Sequence, residues 1–281
     1  MKKLFLSLLV VTFINNVSAQ VKAPQSSPFS KVEQKVGLTD VTVEYSRPSA
    51  KGRTIFGDLV PFGKVWRTGA NANTKISFSN DVIIGGKTLK KGTYAVYTKP
   101  SAGSWEVYFY SDANNWGNPR EWNDAKVALK TTAKAESMPM KVETFTVTFD
   151  DLTNNSAVLG MIWENTYVGV KFEVPTDKEV SESISKVMAG PGAGDYYAAA
   201  TYYFDEGKDI NQAKEWIGKA VEMTKDSPRF WYLRKQSLIH AKAGDKKGAI
   251  KAAKESLKHA EKAGNADYVK MNKESLKEWG A

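Results

Sequence analysis

The 281-residue chain has no cysteine and only two histidines. Without thiols it can build neither a disulfide framework nor a lipidated cysteine behind a leader. His240 and His259 both lie in the C-terminal part, so the N-terminal part has no imidazole for a Ser-His-Asp or Cys-His nucleophilic site. The usual zinc ligand sets are missing there as well. No GxGxxG or P-loop precedes a helix, which leaves a nucleotide cofactor without a phosphate cradle. The expectation is therefore no catalytic residue of these types, no cofactor and no metal. No basic run exceeds two residues. The formal net charge of +9 is thus spread out, and nucleic acid is not an expected partner.

Residues 1–19 have the order of a secretory leader: Lys2 and Lys3, the apolar run Leu4 to Ile14, then Val17-Ser18-Ala19 before Gln20. That run is shorter than the ~20 residues a membrane span requires. Cleavage after Ala19 would release an exported chain, periplasmic or extracellular, without a transmembrane segment. Losing Lys2 and Lys3 would lower the formal charge from +9 to +7.

The composition changes at Pro175. Residues 20–34 read as a tether, followed by a first edge segment. From Lys35 the period is two: Val41, Val43 and Tyr45 share one face and Thr42 and Glu44 the other. The same alternation returns at Lys75–Ser79, Thr93–Thr98, Trp105–Tyr110, Val127–Ala135 and Glu143–Phe149. Gly85-Gly86 marks a hairpin between Val82–Ile84 and Lys87–Leu89. Val158–Glu164 and Tyr167–Val174 read as a closing hairpin. Eight or nine short strands with turns between them predict an antiparallel β-sandwich, jelly-roll-like, over residues 35–175.

From Thr176 to Ala281 the period is helical. Asp209, Ser227-Pro228, Asp245 and Asn265 are helix starts, and Gly244 and Gly264 are stops. Ala213-x-x-Trp216-Ile217-x-x-Ala220-Val221 returns as Ala249-x-x-Ala252-Ala253-x-x-Ser256-Leu257. This spacing is similar to the tetratricopeptide pattern and predicts an all-α helical bundle. Such repeats dock partner proteins or buttress a neighbouring domain.

One stretch breaks both periods. Arg47 to Thr74 is too long for an ordinary connection, since structureless loops beyond about 12–15 residues are usually functional or disordered. Ile55, Phe56, Leu59, Val60, Phe62, Val65 and Trp66 give it enough apolar surface to dock on a core. Arg47, Arg53 and Arg67 add guanidinium forks suited to carboxylate or phosphate. It reads either as a ligand site or as a packed cover over one end of the sheet. Trp66, Trp116 and Trp122 lie in loops, where an indole offers a flat face to a sugar ring, whereas Trp105 and Trp163 lie on strands and read as core. The expected ligand-binding set is Arg47, Arg53, Trp66, Arg67, Asn71, Trp116 and Glu164, the last as an acidic partner for Arg67 or Arg53. The expected ligand is an envelope glycan or peptide, with a protein partner on the helical part as the other reading.

Two further chemistries remain open. Glycoside hydrolysis needs only two carboxylates at the right separation, and Glu44, Asp58, Glu106, Glu121 and Glu164 are available. Asp112, Asn114 and Asp124 could supply calcium oxygens, though without EF-hand spacing.

The loop also carries a resemblance. Ser46-Arg47-Pro48-Ser49, Lys51-Gly52-Arg53, Ile55-Phe56-Gly57 and Val60 to Asn71, with Trp66-Arg67-Thr68-Gly69-Ala70-Asn71 the most specific run, resemble an exported bacterial domain of unknown function common in Bacteroidetes. Ile84-Gly85-Gly86-Lys87, Lys91-Gly92-Thr93-Tyr94 and Asn115-Trp116-Gly117 extend the likeness over roughly Val36 to Val174. It implies a β-rich module, sometimes followed by tetratricopeptide-like helices, and no activity. The combined expectation is an exported, non-enzymatic binding or scaffold module. The alternatives are a carboxylate-dependent glycan hydrolase and a docking platform formed by the helices.

Overall fold

The computed structural model describes residues 23–188 and 190–281. The expected leader, residues 1–19, lies outside them. The chain divides between Pro175 and Thr176 into two compact units. No helix among the described residues is long and apolar enough to cross a membrane.

The first unit contains nine strands: β1 (Phe29–Val36), β2 (Thr39–Ser46), β3 (Thr74–Phe78), β4 (Val82–Ile84), β5 (Lys87–Leu89), β6 (Gly92–Pro100), β7 (Ser104–Tyr110), β8 (Val127–Asp150) and β9 (Ser156–Glu173). They form one antiparallel ladder in the order β1-β2-β3-β6-β7-β8-β9-β4-β5. β1 is the expected edge segment, but it starts at Phe29, inside the stretch read as a tether. Val41 and Val43 on β2 are buried while Asp40 on the same strand is exposed, as a period of two requires. Gly85 and Gly86 turn the β4–β5 hairpin at φ 56° and 76°, a left-handed pair that suits glycine.

β8 makes the fold a sandwich. Its first part, Val127 to Lys134, pairs with β7, and from Ala135 to Asp150 it pairs with β9. One strand therefore belongs to both layers, and the layers close over a shared core. Phe78 on β3 meets Phe172 on β9 edge-on at 5.5 Å. Tyr45 on β2 meets Phe145 on β8 at 5.8 Å, and the Val147 N–H donates to the Tyr45 hydroxyl at 3.0 Å.

The expected closing hairpin is not there. Val158–Glu164 and Tyr167–Val174 are successive parts of the single strand β9. Glu164 takes φ 50°, and the register slips between Ser137, Val142 and Thr146 on the opposing strand. The Glu164-Asn165-Thr166 signal produces a bulge instead of a reversal. Asn165 Nδ2 fixes it by donating to Met138 O at 3.1 Å. Pro139, which has no N–H to give, sits in the same irregular stretch of β8.

The second unit contains α1 (Thr176–Val187), α2 (Ala193–Asp205), α3 (Ile210–Glu222), α4 (Phe230–Lys242), α5 (Lys246–Lys262) and α6 (Ala266–Glu278). Asp209, Asp245 and Asn265 cap α3, α5 and α6 as their side chains predict. The expected cap at Ser227 is replaced by Arg229. Ser227 lies instead in the turn that ends α3, where its N–H donates to Thr224 O at 3.0 Å. Each helix packs on its successor, and α2 also touches α4, as α4 touches α6. Ala200, Ala213, Ile217, Ala220, Tyr232 and Ile239 form its core. The small residues let the helix axes approach closely.

Candidate functional site

The stretch between β2 and β3 is anchored along its length. The Ala50 N–H donates to Glu143 O and the Phe145 N–H to Pro48 O, both at 2.8 Å, so its first residues pair with β8. Ala50, Ile55 and Val60 are buried in the sandwich core. Farther on, Trp66 and Thr98 exchange backbone hydrogen bonds of 2.7 and 3.0 Å, which ties the stretch to β6. The cover expected from its apolar residues is thus present, and a cleft opens within it.

That cleft, of about 400 Å³, lies between Arg53, Leu59, Trp66, Arg67, Asn71 and Trp116, with Ser27, Pro48, Val60, Gly69, Ala70 and Trp163 completing its walls. It unites five of the seven residues read from the sequence. Trp116 is 77% exposed. Trp66 is half-buried: its ring meets Phe56, Trp105 and Phe145 edge-on at 5.2 to 6.3 Å and stacks on Trp163 at 5.9 Å. Its indole N–H donates to Gly69 O at 3.0 Å. Trp66 therefore joins the cleft to the core.

The backbone here is strained. Thr68 is fully buried and holds φ 55°, a conformation rare for a β-branched residue. Its hydroxyl bonds Thr98 Oγ1 at 3.1 Å, and its carbonyl accepts from the Thr74 hydroxyl at 2.5 Å. Gly69, at φ 154°, is closely fitted, since a Cβ would stand 3.0 Å from Ser46 O and Thr74 Oγ1. Asn71, at φ 57°, donates to Ser27 O at 3.1 Å and to Ser46 Oγ at 3.3 Å. Such outliers persist only where neighbouring contacts enforce them, and they gather at binding sites.

The arginines are oriented by carbonyls. Arg53 donates from Nε to Ala50 O at 2.9 Å and from Nη2 to Ser49 O at 2.7 Å. Arg67 Nη1 donates to Asn71 O at 2.8 Å. Among the described residues, neither makes an ion pair, and no Asp or Glu lines the cleft. Beneath Trp116, the Tyr97 hydroxyl donates to Gly117 O at 3.1 Å. Burial holds that phenol above its ordinary range, against the opposing pull of Asn115 and the Arg67 charge.

Arg47 and Glu164 stand outside the cleft walls. Arg47 donates to Phe145 O at 3.1 Å and to Thr146 Oγ1 at 2.7 Å, bracing the loop on β8. Glu164 pairs with Lys141 at 3.2 Å, which corrects the expected pairing with Arg67 or Arg53. Trp122 packs among Tyr97, Tyr108 and Tyr110, and its N–H donates to Asp124 at 2.8 Å. Glu106, another hydrolase candidate, is held by Lys130 and Tyr108, which lower its carboxyl to about 2. A general acid needs the opposite shift. Asp112 is held by Lys126 at 2.8 Å, and Asn114 accepts from Lys75 at 3.0 Å. Pro48 and Leu59, inside the stretch the sequence marked, also line the cleft, and Ser27 joins it without a local signal in the sequence. Trp163, read as core, is both buried and part of the cleft wall.

The model of the family described as Protein of unknown function (DUF2911) matches residues 27–172, more than half of the chain. The chain belongs to that family. The DUF2911 match runs from Ser27 to Phe172 and so contains every residue of the cleft wall. No curated protein and no solved structure matches the chain.

Proposed function

We propose that the DUF2911 unit is a non-enzymatic binding module of an exported protein and that the cleft beneath Trp116 is its ligand site. The observation that carries this reading is an exposed indole sharing one cleft wall with two arginines that have no carboxylate partner, where the backbone is strained and well anchored. About 400 Å³ falls within the ~300–1,000 Å³ range of small-molecule sites. The leader-like residues 1–19 support export, and the resemblance to a Bacteroidetes-type module supports an envelope setting. Without Asp or Glu on the walls, a carboxylate-dependent hydrolase has less support than a binding module.

The test is a thermal-shift screen of residues 20–281 against saccharides, peptides and divalent ions. A ligand that binds only the folded state raises the melting temperature. The expected result is a hit that Trp116→Ala abolishes without changing the melting temperature of the free protein. Hits that all survive Trp116→Ala would remove the cleft from consideration. A second reading, docking through tetratricopeptide-like helices, draws on the buried Ala213, Ala220, Ala249 and Ala253 at the helix crossings. A partner retained after Trp116→Ala and lost on truncation at Pro175 would favour it.

A further inference from the structure

We infer that the cleft takes a six-membered ring bearing a carboxylate, as a uronic acid residue of an acidic glycan or a free aromatic acid presents it. This rests on reading the cleft as the ligand site, and it names the chemistry of what enters.

The charge balance argues first. Arg53 and Arg67 bring two positive charges to a cleft whose other wall residues are all neutral. Their hydrogen-bond partners, Ala50 O, Ser49 O and Asn71 O, are carbonyls, which fix the guanidinium planes without cancelling the charge. A cationic ligand would meet two like charges and no acid. An anionic ligand would find two forks already held in place, and a carboxylate matches that geometry with paired N–H donors.

The indole argues second. Trp116 is 77% exposed and makes no ring contact with another aromatic residue among those described. The loop positions it through Gly117, which is buried at φ 86° and whose carbonyl accepts from Tyr97. An indole offered in this way stacks on a flat or ring-shaped apolar face. Bare phosphate would engage the arginines and leave the indole unmatched. A neutral sugar would stack and leave both charges unmatched. A ring with a carboxylate answers both features.

The experiment is calorimetric titration of residues 20–281 with galacturonate oligosaccharides, the corresponding galactose oligosaccharides, 4-hydroxybenzoate and inorganic phosphate. At least one acidic ring should bind about tenfold or more tightly than neutral sugar and phosphate, because charge-assisted hydrogen bonds are lost with the carboxylate. That binding should weaken at high salt. It should also disappear in Arg53→Gln and in Trp116→Ala, both still folded by circular dichroism, and the melting temperature of Trp116→Ala should match that of the unaltered protein. Tighter binding of galacturonate than of hydroxybenzoate identifies the glycan source, and the reverse identifies the aromatic acid.

Equal binding of acidic and neutral sugars, lost in Trp116→Ala, would overturn the carboxylate inference and leave the cleft as a ligand site. Acidic-ring binding that survives both substitutions would place the ligand elsewhere and overturn both readings. Failure of both acidic rings to bind at millimolar concentration overturns the inference, whatever else the cleft accepts.

Discussion

The guanidinium of Arg67 lies directly over the α-carbon of Gly117: a methyl group added there would stand 2.8 Å from Nη1 and 3.2 Å from Cζ. A residue from the β2–β3 connection is thus fitted against one from the β7–β8 connection, and neighbouring Trp116 shares the cleft wall with Arg67.

Gly117→Ala should therefore act on stability and site together. At φ 86° an alanine costs ~1–2 kcal/mol in backbone strain alone. The displaced guanidinium would also change the cleft. Urea unfolding should show a lower midpoint, and ligand titration should show weaker binding. An unchanged midpoint would mean that the loop adjusts freely.

Trp66 and Trp116 should separate packing from binding. Trp66 contacts four aromatic rings of the core, and Trp66→Ala should cost ~3–5 kcal/mol through the cavity it leaves. Trp116 is exposed, and Trp116→Ala should stay within about 0.5 kcal/mol in stability while removing ligand binding. Denaturant midpoints of the two variants check the contrast. A loss of stability in Trp116→Ala as large as that in Trp66→Ala would contradict it.

Glu106 should contribute an acid-sensitive part of stability. Hydrogen bonds from Lys130 and from the Tyr108 hydroxyl, the latter at 2.7 Å, hold its carboxyl at about 2, below the ordinary 4.5. A folded-state value below the unfolded one stabilises fully above pH 4.5, and the contribution fades as pH falls towards 2. Urea midpoints measured from about pH 7 down to about pH 3 should fall less for Glu106→Gln than for the unaltered protein. Parallel curves would assign the acid sensitivity to other carboxylates.

Asp245 should govern the start of α5. Lys214 at 2.8 Å and the Gly248 N–H at 2.9 Å hold its carboxylate well below the usual range, and His240 Nδ1 lies 2.8 Å away. Asp245→Ala should reduce helicity at elevated temperature in circular dichroism. Asp245→Asn should retain more of it, because an amide oxygen still accepts from Gly248. Identical melts for the two variants would show that the cap is not what matters there.

The sequence alone determined the features that arise from local periodicity. Alternation in Val41-Thr42-Val43-Glu44-Tyr45 gave the strands, the change of period at Pro175 gave the two units, and Asp209, Asp245 and Asn265 gave helix starts. Each depends on a residue and its near neighbours, so each is legible along the chain. The length and composition of Arg47 to Thr74 likewise marked the stretch that forms most of the cleft. Tertiary structure decided what those residues do. Whether Glu164-Asn165-Thr166 reverses the chain or bulges it depends on the strand opposite, where Asn165 finds Met138 O. Arg47 and Arg67 are alike in sequence, yet one braces β8 and the other lines the cleft, because the nearest acceptor for each comes from a different part of the chain. The cleft itself joins Ser27, Pro48, Arg67, Trp116 and Trp163, residues that only long-range strand pairing brings together.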